Sequence, residues 1–455
     1  MEKEKIPFAE KMGYGVFSGS INLLSQFINT FILFYFTDVF GLSAAVAGIV
    51  MSFGLIWDGV NDPLIASYAD NHRFRNGERF RPYMIYISFP LAVLTVLMFS
   101  SFHLSYALKI VYCLVIYFLF YSLITILRLP MYNMPTLSTK DAVQRLNLNV
   151  FSSGGASIGS ILAGVMLWPM VRAFAGLNPA TSEMINPEKG FVLGAAVIGL
   201  LIISGSLFYF FHSKERVRLP DDESRVGIWQ SLKILWKNHN FRYNTLFSTF
   251  YFTCNTLSTA TVVYYTQYVL RKPNLTTLFL GCFAIGSIVA LPFVKKLDIR
   301  FGRRKAMITG AGLVAFSKIL FIPFSYTIPV VMVHALLLGI SVAINIVMFS
   351  MTRSEVGDIV EHMHGRRIDS MITNLQGLIN KCGTSLTTLL IGIALEVAGY
   401  NGELPEQSDA VIRVINSLMG WISLAVAVLL IFSASRITIE KEMAALHTEK
   451  QPGTI

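Results

Sequence analysis

The sequence predicts an all-α membrane protein: twelve transmembrane helices in two pseudo-symmetric six-helix bundles. Three observations predict it. The 455-residue chain is 54% hydrophobic and only 14% charged, against about 25% charged in a soluble protein. Its mean hydropathy is +0.58. Apolar runs long enough to span a bilayer, each about 20 residues, recur from end to end, and a charged stretch at 213–241 divides them six and six.

The expected spans are 11–38, 44–69, 82–101, 106–133, 147–172, 190–212, 242–269, 275–297, 305–324, 328–352, 367–398 and 411–436. This gives an N-terminal bundle over 1–212, a cytoplasmic linker over 213–241, a C-terminal bundle over 242–436 and a cytoplasmic tail over 437–455. The opening residues, Met1-Glu-Lys-Glu-Lys, are polar, and no small-residue cleavage site follows the first apolar run. No secretory signal is expected.

Loop charge sets the orientation. With both termini cytoplasmic, tails and inner loops hold 28 of the 37 Lys and Arg, and outer loops hold six. That asymmetry obeys the positive-inside rule and predicts a multi-pass protein of the cell's inner (plasma) membrane. The net charge of +10 follows from this topology, so no nucleic-acid partner is expected. Cys113, Cys254, Cys282 and Cys382 fall inside spans without CxxC spacing, and are expected to be small buried core residues. His362 and His364 fall in a polar inner loop and are read as solvated. Lys318, near a span end, is expected to snorkel to the interface. Neither an HExxH zinc motif nor a Gly-x-Ser-x-Gly elbow is present. An enzyme is not expected, and no cofactor is called for.

The halves echo one another. Asp70-Asn-His-Arg-Phe-Arg-Asn-Gly-Glu-Arg-Phe-Arg-Pro82 follows span two, and Lys295-Lys-Leu-Asp-Ile-Arg-Phe-Gly-Arg-Arg-Lys305 follows span eight. Paired repeats of this kind mark transporters that rock about a central site. Gly155 and Gly159 have the small-xxx-small spacing of closely packed helices.

Asp58 and Asp62 are the chemical centre of the reading. Four residues apart, they share one helical face, one turn apart. Carboxylates are costly in hydrocarbon and usually mark an ion or substrate pathway. Two on one face repel unless a cation or basic group lies between them. Asp58, Asn61 and Asp62 offer oxygens to one small hard cation, Na⁺ or H⁺, and Thr125 adds a hydroxyl if span four packs beside span two. Ser18, Asn22, Gln26 and Asn29 form a polar stripe in span one, which reads as a cavity wall rather than inter-helix glue. Arg128, also costly in mid-span, needs an anionic partner, either an aspartate or a substrate. Tyr132 lies one turn on, and span eleven carries Gln376 and Lys381. The candidate substrate residues are Asn22, Gln26, Arg128, Tyr132, Asn149, Ser153, Gln376 and Lys381.

The repeated inner-loop pattern resembles that of the major facilitator superfamily, in which Asp70 and Asp298 would cap helix ends and form ion pairs that break during rocking. A more specific resemblance rests on Tyr35-Phe-Thr-Asp-Val-Phe-Gly-Leu-Ser-Ala, Trp57-Asp-Gly-Val-Asn-Asp-Pro, Asn76-Gly-Glu-Arg-Phe-Arg-Pro, Glu355-Val-Gly-Asp-Ile-Val-Glu-His, Gly365-Arg-Arg-Ile-Asp and Asn380-Lys-Cys-Gly. These are similar to the glycoside–pentoside–hexuronide:cation symporter family. The resemblance implies a cation set of Asp58, Asn61, Asp62 and Thr125, a helix-eleven lysine at Lys381, and an inner gate of Arg145, Glu355, Asp358 and Arg367. It departs at the sugar site, where Asn22 and Arg128 replace aspartates, Ser153 replaces an arginine and Tyr132 a tryptophan. Galactoside specificity therefore does not carry over.

The balance of two acids (Asp58, Asp62) against two bases (Arg128, Lys381) points to a cation travelling with an acidic sugar such as a uronate or uronide. The alternatives are a uniporter in which Arg128 replaces the cation, and a carrier of an amphiphile such as a lysolipid. The expected partners are a small sugar or glycoside and membrane lipids, with the chain working as a monomer by alternating access.

Overall fold

The computed structural model describes residues 6–443 apart from 75–76, 140, 179–183, 218–233, 365–368, 405 and 441; the side chains of several helical residues, Asp70 among them, are also outside the described set. The described residues form helices in this order: α1 (Phe8–Phe34), α2 (Ala44–Asn71), α3 (Tyr83–Met98), α4 (Tyr106–Ser138), α5 (Ala142–Ala175), α6 (Pro187–His212), α7 (His239–Tyr264), α8 (Leu275–Phe301), α9 (Arg303–Phe321), α10 (Ile328–His364), α11 (Asp369–Val397) and α12 (Asp409–Ser417 and Ser423–Ser435, joined by a π-helical turn). Among the described residues ten helices are long and apolar enough to cross a membrane. The other two differ for physical reasons. Helix α3 has 16 residues, and α7 is long but rich in Asn, Ser and Thr.

Helix α10 runs on to His364. The expected polar loop around His362 is therefore helical, with His362 exposed on its last turns.

The chain divides into two compact units. Unit 1 comprises residues 1–223, 272–277 and 392–407; unit 2 comprises 224–271, 278–391 and 408–455. In unit 1, α1 packs on α5 and α6, and α2 on α4. A Cβ on Gly155 would lie 1.9 Å from the Gly15 carbonyl oxygen, and one on Gly159 would lie 2.4 Å from that of Gly19. The two helices touch backbone to backbone. Such contact needs residues without side chains, and in lipid close packing replaces the hydrophobic drive. A cluster of aromatic rings fills one end of this bundle: Phe31 stacks on Trp168 at 5.4 Å and Phe99 on Phe191 at 5.7 Å.

In unit 2, α9 packs on α10 and α12, and α7 on α10 and α12. Here too glycines allow close approach: a Cβ on Gly339 would lie 1.9 Å from the Phe283 carbonyl oxygen. Lys318 does not snorkel. It is fully buried, donating to Ser258 Oγ at 2.9 Å and to the Met419 carbonyl at 3.0 Å. The π-helical turn Leu418–Ile422 carries that carbonyl. Its non-α hydrogen bonding leaves main-chain oxygens open to a side chain. Cys113 and Cys254 are buried as expected, whereas Cys382 is exposed on α11.

The repeat seen in the loops extends to the backbone. Helices α1 and α7 both end in a five-residue π-helical turn, Tyr35–Val39 and Tyr265–Val269. Each is followed by a left-handed residue, Gly41 (φ 77°) in one half and Arg271 (φ 53°) in the other. Gly77 and Gly302 likewise take left-handed conformations (φ 79° and 83°) in the corresponding loops after α2 and α8.

Candidate cation and substrate site

The carboxylate pair is set by the packing of α2 against α4. Gly54 makes the approach close, since a Cβ there would lie 2.0 Å from the Tyr117 ring. Trp57 Nε1 donates to Ser122 Oγ at 2.9 Å, a second tie between the two helices. One turn past Gly54 lies Asp58, and two turns past Tyr117 lies Thr125. Thr125 Oγ1 stands 3.0 Å from Asp58 Oδ1 and 3.0 Å from Asp62 Oδ1. A hydroxyl carries one proton, so it donates to one carboxylate at a time while its oxygen lies close to both.

Asp58 is 3% exposed and Asn61 2% exposed. Both amide atoms of Asn61 are buried with no hydrogen-bond partner among the described residues. A buried amide without a partner is costly, and an ion or water between the acids would satisfy it. The donor set is all oxygen, apart from the Asn61 nitrogen, which suits a hard cation or a proton.

Arg128, three residues after Thr125 on α4, points elsewhere. Its Nη2 donates to Ser25 Oγ of α1 at 2.9 Å. The stripe on α1 proves to be partly glue. Ser18 meets Ser152 of α5 at 2.5 Å, and Ser160 of α5 donates to Asn22 Oδ1 at 2.9 Å. Gln26 is half-buried and Asn29 exposed on the same helix. Tyr132 is 65% exposed on α4, and Asn149 and Ser153 are exposed on α5.

Unit 2 holds the remaining candidates. Gln376 of α11 is buried, with both amide atoms lacking a hydrogen-bond partner among the described residues; Lys381 is half-buried further along the same helix. Asp298 of α8 and Glu355 of α10 meet at Arg303, which sequence reasoning passed over. Its guanidinium bonds Asp298 at 2.8 and 3.0 Å and Glu355 at 3.1 and 3.0 Å. The signal was available, because Arg303 directly follows the loop glycine. Asp358 is exposed on α10, and Arg145 is half-buried in unit 1. Arg367 and the Asp70 side chain lie outside the described residues.

Two helical bundles of long apolar helices, with Asp58 buried and Asp62 half-buried on one of them, are the architecture of a membrane transporter of the major facilitator class. The chain belongs to the MFS/sugar transport protein family, whose model matches residues 13–441. It is 25% identical over 424 residues to the inner membrane symporter YicJ of Escherichia coli (strain K12), covering 92% of this chain and 89% of that protein. It is 26% identical to the putative glycoside/cation symporter YagG of the same organism, covering 91% and 88%. It is 23% identical to the glucuronide carrier protein homolog of the same organism, covering 90% and 87%. The crystal structure of a D-xylose–proton symporter superposes with a TM-score of 0.63 at 14% identity, covering 94% of this chain and 96% of that one. The chain is thus a multi-pass membrane transporter and not an enzyme.

Proposed function

We propose that this protein is a cation-coupled symporter of a sugar or glycoside bearing an acidic group, working by alternating access in the inner membrane with both termini cytoplasmic. One observation carries the reading. Two carboxylates share the single hydroxyl of Thr125, while the nearby guanidinium is held by Ser25. Like charges this close need a positive partner. Na⁺ or H⁺ supplies the balance at Asp58, Asn61, Asp62 and Thr125. Arg128 is then available to an anionic cargo, with Asn22, Gln26, Tyr132, Asn149, Ser153, Gln376 and Lys381 as the other substrate contacts. The cluster of Asp298, Arg303 and Glu355, with Asp70, Arg145, Asp358 and Arg367, serves as the conformational gate.

The kinship with a protein named as a glucuronide carrier homolog supports an acidic cargo, and that with a glycoside/cation symporter supports coupling. The uniporter alternative needs Arg128 on the aspartates, and the Ser25 bond speaks against it. Uptake of radiolabelled uronides and neutral glycosides into proteoliposomes, with and without a Na⁺ or H⁺ gradient, tests the reading. Accumulation only under a gradient is expected; equal uptake without one contradicts symport.

A further inference from the structure

Arg128 and Asn22 are each held by a serine that the sequence did not single out. Ser25 Oγ accepts from Arg128 Nη2 at 2.9 Å and donates to the Ile21 carbonyl at 2.9 Å. Its proton is thereby committed to Ile21, and one of its two lone pairs accepts from the guanidinium. Ser160 Oγ lies 2.9 Å from Asn22 Oδ1 and 3.2 Å from the Ala156 carbonyl, so the shorter bond occupies the Asn22 acceptor. The consequence is one of polarity. With one Oδ1 lone pair held by Ser160, the Asn22 Nδ2 donors are left for the cargo. Arg128 has only donors to offer, and its remaining N–H groups are neither bonded nor sealed off among the described residues.

We infer that Ser25 and Ser160 are positioning residues that turn donors toward the cargo on this unit, favouring a cargo group able only to accept. An ionised carboxylate or sulfonate is such a group, whereas a hydroxyl both donates and accepts. The inference rests on the acidic-cargo reading above and names the residues that create the preference. In Ser25→Ala the guanidinium loses its anchor. In Ser160→Ala the Asn22 amide is free to turn, so that its carbonyl faces the cargo. That carbonyl repels a carboxylate and still accepts from a sugar hydroxyl.

Isothermal titration of the purified full chain tests this with phenyl glucuronide and phenyl galacturonide, the matching neutral glycosides, and a 6-sulfo glycoside to separate carboxylate from sulfonate. The expected wild-type result is tighter binding of an acidic ligand than of its neutral match. Ser25→Ala and Ser160→Ala should each weaken the acidic ligand by about tenfold, the scale of a hydrogen bond to a charged group, and leave the neutral one unchanged. Ser25→Thr, which keeps the hydroxyl, should restore the preference. If the wild type prefers acidic ligands but both alanine variants weaken acid and neutral alike, or neither, the positioning role is overturned and the acidic-cargo reading stands. If the wild type shows no acidic preference, the reading and this inference fall together.

Discussion

Gly155 and its neighbour Gly154 occupy opposite environments: a Cβ on Gly155 would collide with the Gly15 carbonyl at 1.9 Å, while one on Gly154 would meet nothing within 4 Å. Adjacent glycines on α5 therefore predict opposite effects. Gly155→Ala forces α1 and α5 apart and should cost about 1–3 kcal/mol, as overpacking does. Gly154→Ala should be neutral or stabilising, because alanine is favoured over glycine in a helix by up to about 1 kcal/mol. Thermal unfolding followed by tryptophan fluorescence in detergent checks both; equal melting temperatures would remove the close α1–α5 contact.

Thr125 serves two acids with one hydroxyl. Thr125→Val should weaken the apparent affinity for the coupling cation by about tenfold or more, the cost of losing a hydrogen bond to a charged group. Thr125→Ser should leave it near wild type. Titration of uptake against Na⁺ and against pH separates these variants. An unchanged cation dependence in Thr125→Val would take the hydroxyl out of the site.

Arg303 is 7% exposed and bridges two carboxylates. Arg303→Met leaves Asp298 and Glu355 facing each other without their cation, and should destabilise the protein by about 3–5 kcal/mol. Adding Asp298→Asn and Glu355→Gln to that variant should recover much of the loss. A triple variant no more stable than Arg303→Met would show that the cluster is not held electrostatically.

Lys318 is 0% exposed, whereas Lys295 and Lys296 lie exposed at the end of α8. An amine-acylating reagent applied to the folded protein should modify Lys295 and Lys296 and spare Lys318, with peptide mass spectrometry as the readout. Equal modification would restore the interfacial placement expected from sequence.

Much of the fold was legible because membrane physics leaves few choices. Backbone groups in lipid must bond internally, so each apolar run had to be a helix. The Gly155–Gly159 spacing announced a close helix contact, though not that α1 would make it. The places where sequence reading fell short share a cause. Lys318 reads as an interfacial lysine by position, yet its burial depends on a π-helical turn some hundred residues away that exposes the Met419 carbonyl. Helix α7, where a span was expected over 242–269, was legible, although it carries many Ser and Thr hydroxyls that bond back to its own carbonyls, as Thr245 does to Phe241 and Ser258 to Cys254. At the candidate site, the four-residue spacing of Asp58 and Asp62 was visible. Which group Arg128 would engage was not, because Ser25 is more than a hundred positions away and carries no charge to announce itself.

The account depends on a cation moving with the cargo through Asp58 and Asp62. Loading vesicles with the protein, imposing only a gradient of the transported glycoside, and following Na⁺ and H⁺ with internal indicators measures this directly. The wild type should carry one of the two ions inward with the glycoside, and Asp58→Asn/Asp62→Asn should carry none while still exchanging glycoside. Glycoside entry in the wild type without movement of either ion would contradict the account.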